Sequence, residues 1–274
     1  MKVWLRDGIV DDSDAVVSVF DHGLTVGDGV FETAKVIDGV PFALTRHLDR
    51  LENSASGLGL VIDRARVRAA VDAVLAANGA LPHARLRITV TGGQAPLGSD
   101  RADVTPTLIV AVAATQPWPA YSDVLTVPWT RNERAATAGL KTTSYADNVV
   151  ALARAHKAGA NEAIFANNRG ELCEGTGTNV FAGIDGVLVT PPLTSGCLPG
   201  VTRALLIEWL GDVDERPVPV ASLAEAEEAF LASSTRDVQP IRQVDNVTLP
   251  ACPGPLTERA AAVFAANAAA NPDP

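Results

Sequence analysis

The stretch Gly139-Leu140-Lys141-Thr142-Thr143-Ser144-Tyr145 decides the fold of this chain, together with two segments that follow it. Thirty-three positions after Lys141 comes Glu174-Gly175-Thr176-Gly177-Thr178-Asn179-Val180-Phe181, and then Gly200-Val201-Thr202-Arg203. The three segments supply an amine, a carboxylate and a helix start with a hydroxyl group. A buried, desolvated lysine loses proton affinity and becomes a competent nucleophile and base. A phosphate at a helix start gains from unpaired N–H groups and the helix dipole.

Lys141 stands out among the four lysines of the chain, which are Lys2, Lys35, Lys141 and Lys157. Lys2 and Lys157 are predicted to be surface residues, the latter at a helix end where a cation complements the dipole. Lys141 follows an apolar leucine at a predicted strand-to-helix transition, where a side chain can enter a cleft. An isolated loop lysine would be an ordinary solvated residue, so the interpretation rests on the carboxylate and the helix start together.

Length and composition predict two domains of a soluble, cytoplasmic protein. The chain has 274 residues, which exceeds the usual domain size of about 100–150 residues. Two prolines in the segment 115–121 resist both helix and central strand, so we predict an N-terminal α/β domain over 1–115, a linker over 116–122 and a larger C-terminal cofactor-binding domain over 123–274.

The sequence argues against a nucleic-acid partner, a membrane span, a secretory signal, and a cysteine metal site or disulfide framework. The net charge is −10, whereas nucleic-acid phosphates are bound by clustered Lys and Arg. No apolar run approaches the roughly 20 residues of a membrane-spanning helix, and the start of the chain lacks the features of a secretory signal. The three cysteines fit neither a metal site nor a disulfide framework.

Hydrophobic periodicity and turn residues predict the elements of each half. In the first half we expect a meandering antiparallel sheet over 3–42, helices beginning at Thr45 and spanning Arg64–Asn78, and strands over 85–90 and 108–113. In the second half we expect strands over 124–128 and 162–166, a hairpin over 180–190, a frayed tail over 271–274, and helices over 144–158, 201–210, 223–228 and 256–269.

The quoted motifs resemble those of class IV aminotransferases, the fold-type IV pyridoxal-phosphate enzymes. The resemblance extends to Gly27-Asp28-Gly29-Val30-Phe31-Glu32, to His47-Leu48-Asp49-Arg50-Leu51 and to Ser233-Ser234-Thr235. It implies an α/β (α+β) fold of two domains with pyridoxal 5′-phosphate at the domain interface. It also implies a homodimer whose partners are small-molecule substrates, an amino acid and a 2-oxo acid.

The resemblance implies a role for each matching position. Lys141 corresponds to the lysine that forms the Schiff base, and Glu174 to the partner of the pyridine nitrogen. Leu198 corresponds to the apolar residue beneath the ring, and Tyr145 to a tyrosine that reaches the phenolic oxygen. The implied phosphate-binding residues are Arg50, Val201, Thr202, Ser234 and Thr235.

The substrate is less narrowly defined by the sequence. The segment Gly29–Val36, which contains Phe31 and Lys35, resembles D-amino-acid transaminases more than branched-chain ones. The segment after strand 85–91 lacks the Arg and His with which D-amino-acid transaminases hold a carboxylate, so Arg131, Arg134 and Arg236 become candidate anchors.

We therefore predict a transaminase whose first expected substrates are D-amino acids, with other primary amines as a broader expected range. The first alternative is a 4-amino-4-deoxychorismate lyase that releases pyruvate and 4-aminobenzoate, and the second is a branched-chain L-amino-acid aminotransferase. A cofactor-binding protein without turnover is disfavoured, because both Lys141 and Glu174 are retained.

Overall fold

The computed structural model describes residues 1–101 and 103–274, which form two compact units. The first unit contains Met1–Gln116, Leu140–Tyr145 and Pro272–Pro274, and the second contains Pro117–Gly139 and Ala146–Asn271. The predicted C-terminal domain over 123–274 includes Leu140–Tyr145 and Pro272–Pro274, which the structure places in the first unit. Both segments form backbone hydrogen bonds with residues of that unit.

The elements are numbered in chain order. Strands β1 to β15 are Lys2–Leu5, Gly8–Asp11, Gly29–Ile37, Val40–Pro41, His83–Thr91, Thr107–Ala114, Ser122–Arg131, Glu162–Asn167, Leu172–Gly175, Asn179–Ile184, Val187–Thr190, Asp214–Glu215, Glu228–Ser233, Asp237–Val244 and Val247–Thr248. Helices α1 to α6 are His22–Thr25, Leu44–Gly57, Arg64–Asn78, Ala146–Lys157, Val201–Leu210 and Pro255–Ala270.

Within the described residues, the first unit contains one antiparallel sheet of six strands in the order β2-β1-β6-β5-β3-β4. The predicted meander over 3–42 is therefore wrong in one respect, because β5 and β6 lie between β1 and β3. The nine residues of β3 pair with β5 along their whole length, from Gly29 with Thr91 to Ile37 with His83. Long-range pairing thus overrides the order of the strands in sequence.

Helices α2 and α3 cover one face of this sheet and form the core of the first unit. Alternate β3 residues Val30, Ala34 and Val36 face that core because side chains alternate across a strand. Helix α2 begins at Leu44, one residue before the predicted cap at Thr45, and its cap residue Ala43 is left-handed.

The prediction that residues 271–274 form a frayed tail is wrong, because Pro272 and Asp273 accept hydrogen bonds from backbone N–H groups at the start of α2. The N–H of Ala43 donates to Pro272 O at 2.7 Å, and the N–H of Thr45 donates to Asp273 Oδ1 at 2.7 Å. The first N–H groups of a helix have no partner within the helix. Asp273 supplies one from a position 228 residues away.

The second unit contains, in the described chain, a mixed sheet of nine strands in the order β12-β11-β10-β13-β14-β7-β8-β9, with β15 paired to β14. Strands β7 and β8 are parallel, and α4 packs on both through a small apolar cluster that contains Ala151 and Phe165. Helices α5 and α6 contact each other through Trp209 and Phe264, whose ring centroids are 5.4 Å apart.

Two predicted elements of the second unit differ in outcome. The hairpin turn at Asp185-Gly186 is confirmed, since both residues have positive φ (54° and 73°) as the two-residue turn requires. The helix predicted over 223–228 is wrong: a short 3-10 turn spans Val220–Leu223, and Glu228 begins β13. The run was too short to hold a helix against the adjacent strand pairing. In the described part of the chain, every helix is too short or too polar to span a membrane.

Candidate functional site

Lys141 is fixed by the start of β3 in the first unit. The N–H of Phe31 donates to Lys141 O at 3.0 Å, and the N–H of Thr143 donates to Gly29 O at 2.8 Å. The N–H of Lys141 itself donates to Ser54 Oγ at 3.1 Å. The segment therefore pairs like a short strand beside β3, and the lysine has a defined backbone position.

Three polar or charged side chains contact the Phe31 ring. Lys141 Nζ lies 4.2 Å from the ring centroid, and the guanidinium carbon of Arg87 lies 3.4 Å from it. The Tyr145 ring meets the Phe31 ring edge-on, with centroids 5.1 Å apart. Both cation-to-ring distances suit cation–π contacts with the Phe31 ring.

Arg87 was not predicted from the sequence. Its Nη1 donates to Thr33 Oγ1 at 3.2 Å, and among the described residues it has no carboxylate partner. Burial lowers the pKa of Arg87 to about 10, so the guanidinium is still charged at neutral pH. The alternation of β5 indicates only that Arg85 and Arg87 point to the face opposite the core.

Lys35 lies on the same face of β3 as Phe31 and Thr33, four residues after Phe31 and two after Thr33. Its Nζ lies 4.6 Å from the centroid of the Phe42 ring. Lys35 is paired in register with the exposed Arg85 of β5. This outer face of the sheet therefore adds further positive charge to the site around Phe31.

Arg50 is held on the other face of β3 by a buried carboxylate. Its Nε and Nη2 donate to the two oxygens of Glu32, both at 2.7 Å, and His47 Nδ1 lies 2.6 Å from Glu32 Oε2. Burial alone would raise the pKa of Glu32, but Arg50 and His47 outweigh it and hold that pKa well below its usual range. Burial lowers the pKa of His47, so the ring is neutral and its Nδ1–H donates to Glu32.

Glu174 in the second unit is an ionic and hydrogen-bonded group at the end of β9. Its Oε2 accepts from the N–H of Leu198 at 2.9 Å, and its Oε1 lies 3.2 Å from Arg131 Nε. The Arg131 guanidinium also lies over the Phe165 ring at 4.1 Å. Arg131, which the sequence offered as a substrate anchor, is therefore paired with Glu174.

The start of α5 lies next to the same motif. Asn179 Nδ2 donates to Leu198 O at 3.0 Å, and a Cβ on Gly200 would come within 1.9 Å of Asn179 Oδ1. Gly200 caps α5 without a side-chain hydrogen bond. Thr202 in the first turn is buried, and within the described residues its Oγ1 has no hydrogen-bond partner.

Ser234 and Thr235 lie in the hairpin turn between β13 and β14, where Ser233 pairs with Asp237. Arg236 in this turn donates to Glu162 Oε2 at 2.8 Å, so this candidate anchor is also paired inside the protein. Arg134 is exposed, and its backbone N–H donates to Asn132. The structure does not bring it together with the other candidates.

These groups fit pyridoxal 5′-phosphate, the cofactor that the resemblance implies. A buried threonine hydroxyl without a protein partner, at an uncapped helix start, suits a phosphate oxygen. The Glu174 carboxylate, which accepts from the N–H of Leu198 and forms an ion pair with Arg131, is an acceptor group that suits a protonated pyridine nitrogen. No cluster of metal-ligating side chains occurs in the described residues.

The comparison with protein families gives one match over most of the chain. The model described as Amino-transferase class IV matches residues 29–244. A protein of Methanocaldococcus jannaschii, provisionally named a branched-chain-amino-acid aminotransferase, is 34% identical and covers 89% of this chain and 88% of its own. The D-alanine aminotransferase of Listeria innocua is 32% identical, with 90% and 89% covered. The aminodeoxychorismate lyase of Bacillus subtilis is 28% identical, with 89% and 87% covered.

Solved structures agree with this match. A branched-chain aminotransferase from Thermoproteus uzoniensis with norvaline has a TM-score of 0.90 at 29% identity, covering 97% of this chain and 93% of that chain. An aminotransferase from Mycobacterium tuberculosis in a PLP-bound form, described as hypothetical, has a TM-score of 0.85 at 29% identity, with 97% and 98% covered.

Proposed function

Because this chain belongs to the class IV aminotransferases, a family that depends on pyridoxal 5′-phosphate, we propose that it transfers the amino group of an amino acid, with D-amino acids as first candidates, to a 2-oxo acid. Relatives with three activities match nearly the whole chain. The family membership supports the cofactor and the reaction class. The choice of D-amino acids as first substrates is our proposal.

The cofactor supplies an electron sink when it is bound. Lys141 would hold it covalently through Nζ in the resting enzyme, and, once a substrate amine has displaced that nitrogen, the freed amine would take up the substrate Cα proton and return it. Glu174 would keep a proton at the pyridine nitrogen, and this carboxylate is itself positioned by the ion pair with Arg131 and the N–H of Leu198. Leu198 would supply an apolar contact to the ring, and Tyr145 a hydroxyl for the phenolic oxygen. Arg50, Val201, Thr202, Ser234 and Thr235 would bind the phosphate.

The observation that supports an amino acid as the substrate is the position of Arg87. Its guanidinium and the Lys141 amine both lie within 4.2 Å of the centroid of one ring. An amino acid carries its carboxylate one carbon from its amine, so a substrate that reacts at Lys141 can place its carboxylate at Arg87. A guanidinium fork suits a carboxylate bidentately.

We also propose a homodimer. Val16, Val19, Phe20 and Leu24 expose apolar side chains along one short stretch of the first unit. Contiguous exposed apolar groups mark interaction surfaces, and symmetric pairs are the commonest soluble oligomers. Light scattering should give twice the chain mass, and Phe20→Asp should shift the protein toward monomer.

The first experiment tests cofactor and substrate together. Borohydride reduction should fix the cofactor to the peptide that contains Lys141, and this label should be absent in Lys141→Ala and present in the control Lys157→Ala. D-alanine should then bleach the visible band of the bound cofactor and release pyruvate, and 2-oxoglutarate should restore the band. Bleaching by L-leucine alone would establish the branched-chain alternative. Catalytic release of 4-aminobenzoate from aminodeoxychorismate, with D-alanine inert, would establish the lyase.

A second experiment tests Arg87. Arg87→Gln should lower kcat/KM for an amino acid by about 10- to 100-fold, the loss of a charge-assisted hydrogen bond. The same variant should leave turnover of 1-phenylethylamine, which has no carboxylate, unchanged. Arg85→Gln, on the same face two residues away, is the control. Equal losses for both substrates would exclude a carboxylate role.

A further inference from the structure

We infer that Glu162, acting through Arg236, is a positioning residue for the turn Ser233–Asp237 and hence for phosphate binding by Ser234 and Thr235. This inference rests on the proposed function, because it takes those two residues as phosphate ligands. Glu162 has no place in the motifs that the sequence singled out. It is the first residue of β8 and is 1% exposed.

Both oxygens of Glu162 are engaged by separate segments of the second unit. Oε1 accepts from the N–H of Thr176 at 3.0 Å and from the Thr176 hydroxyl. Oε2 accepts from Arg236 Nη2 at 2.8 Å. Thr176 lies two residues after Glu174, so one buried carboxylate joins the strand end of Glu174 to the turn that contains Thr235.

The orientation of the Arg236 guanidinium is fixed by hydrogen bonds and a ring contact. Its Nη1 donates to Gln239 Oε1 at 2.8 Å and to Ser122 Oγ at 3.2 Å. The guanidinium also lies 4.0 Å from the centroid of the Trp118 ring. A planar guanidinium held along two edges and one face has a single orientation, so it holds the backbone of its own turn.

The turn needs such an anchor. Only Ser234, Thr235 and Arg236 connect the paired residues Ser233 and Asp237, and Asp237 has a positive φ of 55°. Loops are more mobile than the strands they connect. Binding a phosphate oxygen with turn hydroxyls requires that they are already in position, because ordering them at binding costs affinity.

The arrangement requires both acceptor oxygens of Glu162. A carboxylate accepts at both oxygens, whereas the amide of a glutamine would accept at one and turn an NH2 group toward either Thr176 or the guanidinium. Glu162→Gln should therefore release Arg236 and the turn without changing side-chain volume. Arg236→Lys keeps the charge but loses the fork, and it provides a second test if Glu162→Gln does not fold.

The affinities for pyridoxal phosphate and for pyridoxal, which lacks the phosphate, separate positioning from a general structural role. We expect Glu162→Gln and Arg236→Lys to weaken pyridoxal phosphate binding by about 10- to 100-fold and to leave the pyridoxal dissociation constant unchanged. In the double variant Glu162→Gln/Arg236→Lys the loss of pyridoxal phosphate affinity should not exceed the larger single loss, because both substitutions remove the same interaction.

The matched control is a similar trio elsewhere in the second unit. Asp123 accepts from Arg242, whose guanidinium lies 4.1 Å from the Tyr121 ring centroid. Asp123→Asn should change neither affinity. Unchanged binding in both Glu162→Gln and Arg236→Lys, or equal loss of the two cofactor forms, would overturn the inference. Thr235→Val tests the premise: if it leaves phosphate-specific affinity intact while wild type binds the cofactor, the phosphate assignment of the proposed function fails instead.

Discussion

Replacing Glu32 by glutamine should strongly destabilise the first unit of the cofactor-free protein. Glu32 is 0% exposed and accepts three hydrogen bonds, two from Arg50 and one from His47. The Arg50 side chain is only 9% exposed. Glutamine would remove the negative charge that Arg50 and His47 contact and would turn an NH2 group toward one of these donors, in an interior where water cannot replace the lost bonds.

The magnitude follows from burial. Breaking a buried ion pair by removing one partner costs about 3–5 kcal/mol, because an uncompensated charge remains inside. Asp49→Asn is the control on the same helix: its pair with Arg64 has side-chain exposures of 60% and 35%, so the loss should be within about 1 kcal/mol. The double variant Glu32→Leu/Arg50→Met removes both charges and should cost less than Glu32→Gln alone.

The pH dependence supplies a second signature. The pKa of Glu32 is lower in the folded state than its ordinary value of 4.5, so its stabilisation is present above that value and is lost as pH falls through the folded pKa. The difference between wild type and Glu32→Gln should therefore be full at pH 7 and shrink in acid.

A chain of two units need not unfold in one step. Unfolding in urea should therefore be followed by hydrogen exchange of peptides from β3 and α2, which contain Glu32, His47 and Arg50. A loss for Glu32→Gln no larger than that for Asp49→Asn would refute the reasoning.

Three further predictions concern single side chains. Thr202→Val should leave the stability of the cofactor-free protein unchanged and weaken pyridoxal phosphate binding about tenfold, as measured by dialysis, because the buried hydroxyl has no partner among the described residues; unchanged binding would contradict its role. Burial lowers the pKa of His47 below 6.5, so the unfolded chain binds the proton first and stability falls as pH drops below 6.5. His47→Gln should reduce that slope in melting temperatures between pH 7.5 and 5.5, whereas the exposed His83→Gln should not. Burial raises the pKa of Cys197 to about 11, and Cys173 is likewise buried, so iodoacetamide should label only Cys252 in the native protein; mass spectrometry showing rapid labelling of Cys197 would argue against that burial.

The sequence was sufficient for features that depend on local chemistry. The span of α5 from Val201 to Leu210 matches the prediction, because Gly residues bound an apolar run. The hairpin at Asp185-Gly186 follows from turn residues that accept positive φ. The motif residues also identified the family, although their assigned roles stay predictions.

Features that depend on distant partners could not be predicted. The pairing of β3 with β5 decides that Arg87 lies beside Phe31, and the spacing along either strand alone does not contain that register. The partners of Arg131 and Arg236 are Glu174 and Glu162, which lie more than forty positions away in sequence. An arginine offered as a substrate anchor and one used inside the fold look alike until the partner carboxylate is known.

The path of the chain through the two units has a consequence for synthesis in the cell. The N–H of Thr45 at the start of α2 is satisfied by Asp273, 228 positions later, and Lys141 belongs to a unit whose other strands end before residue 117. At about 5–20 residues per second, the ribosome needs on the order of 10 to 50 seconds to make the residues between Thr45 and Asp273. The unit begun first is therefore the one completed last, and the start of its first long helix lacks the Asp273 partner until the strands of the second sheet have been made.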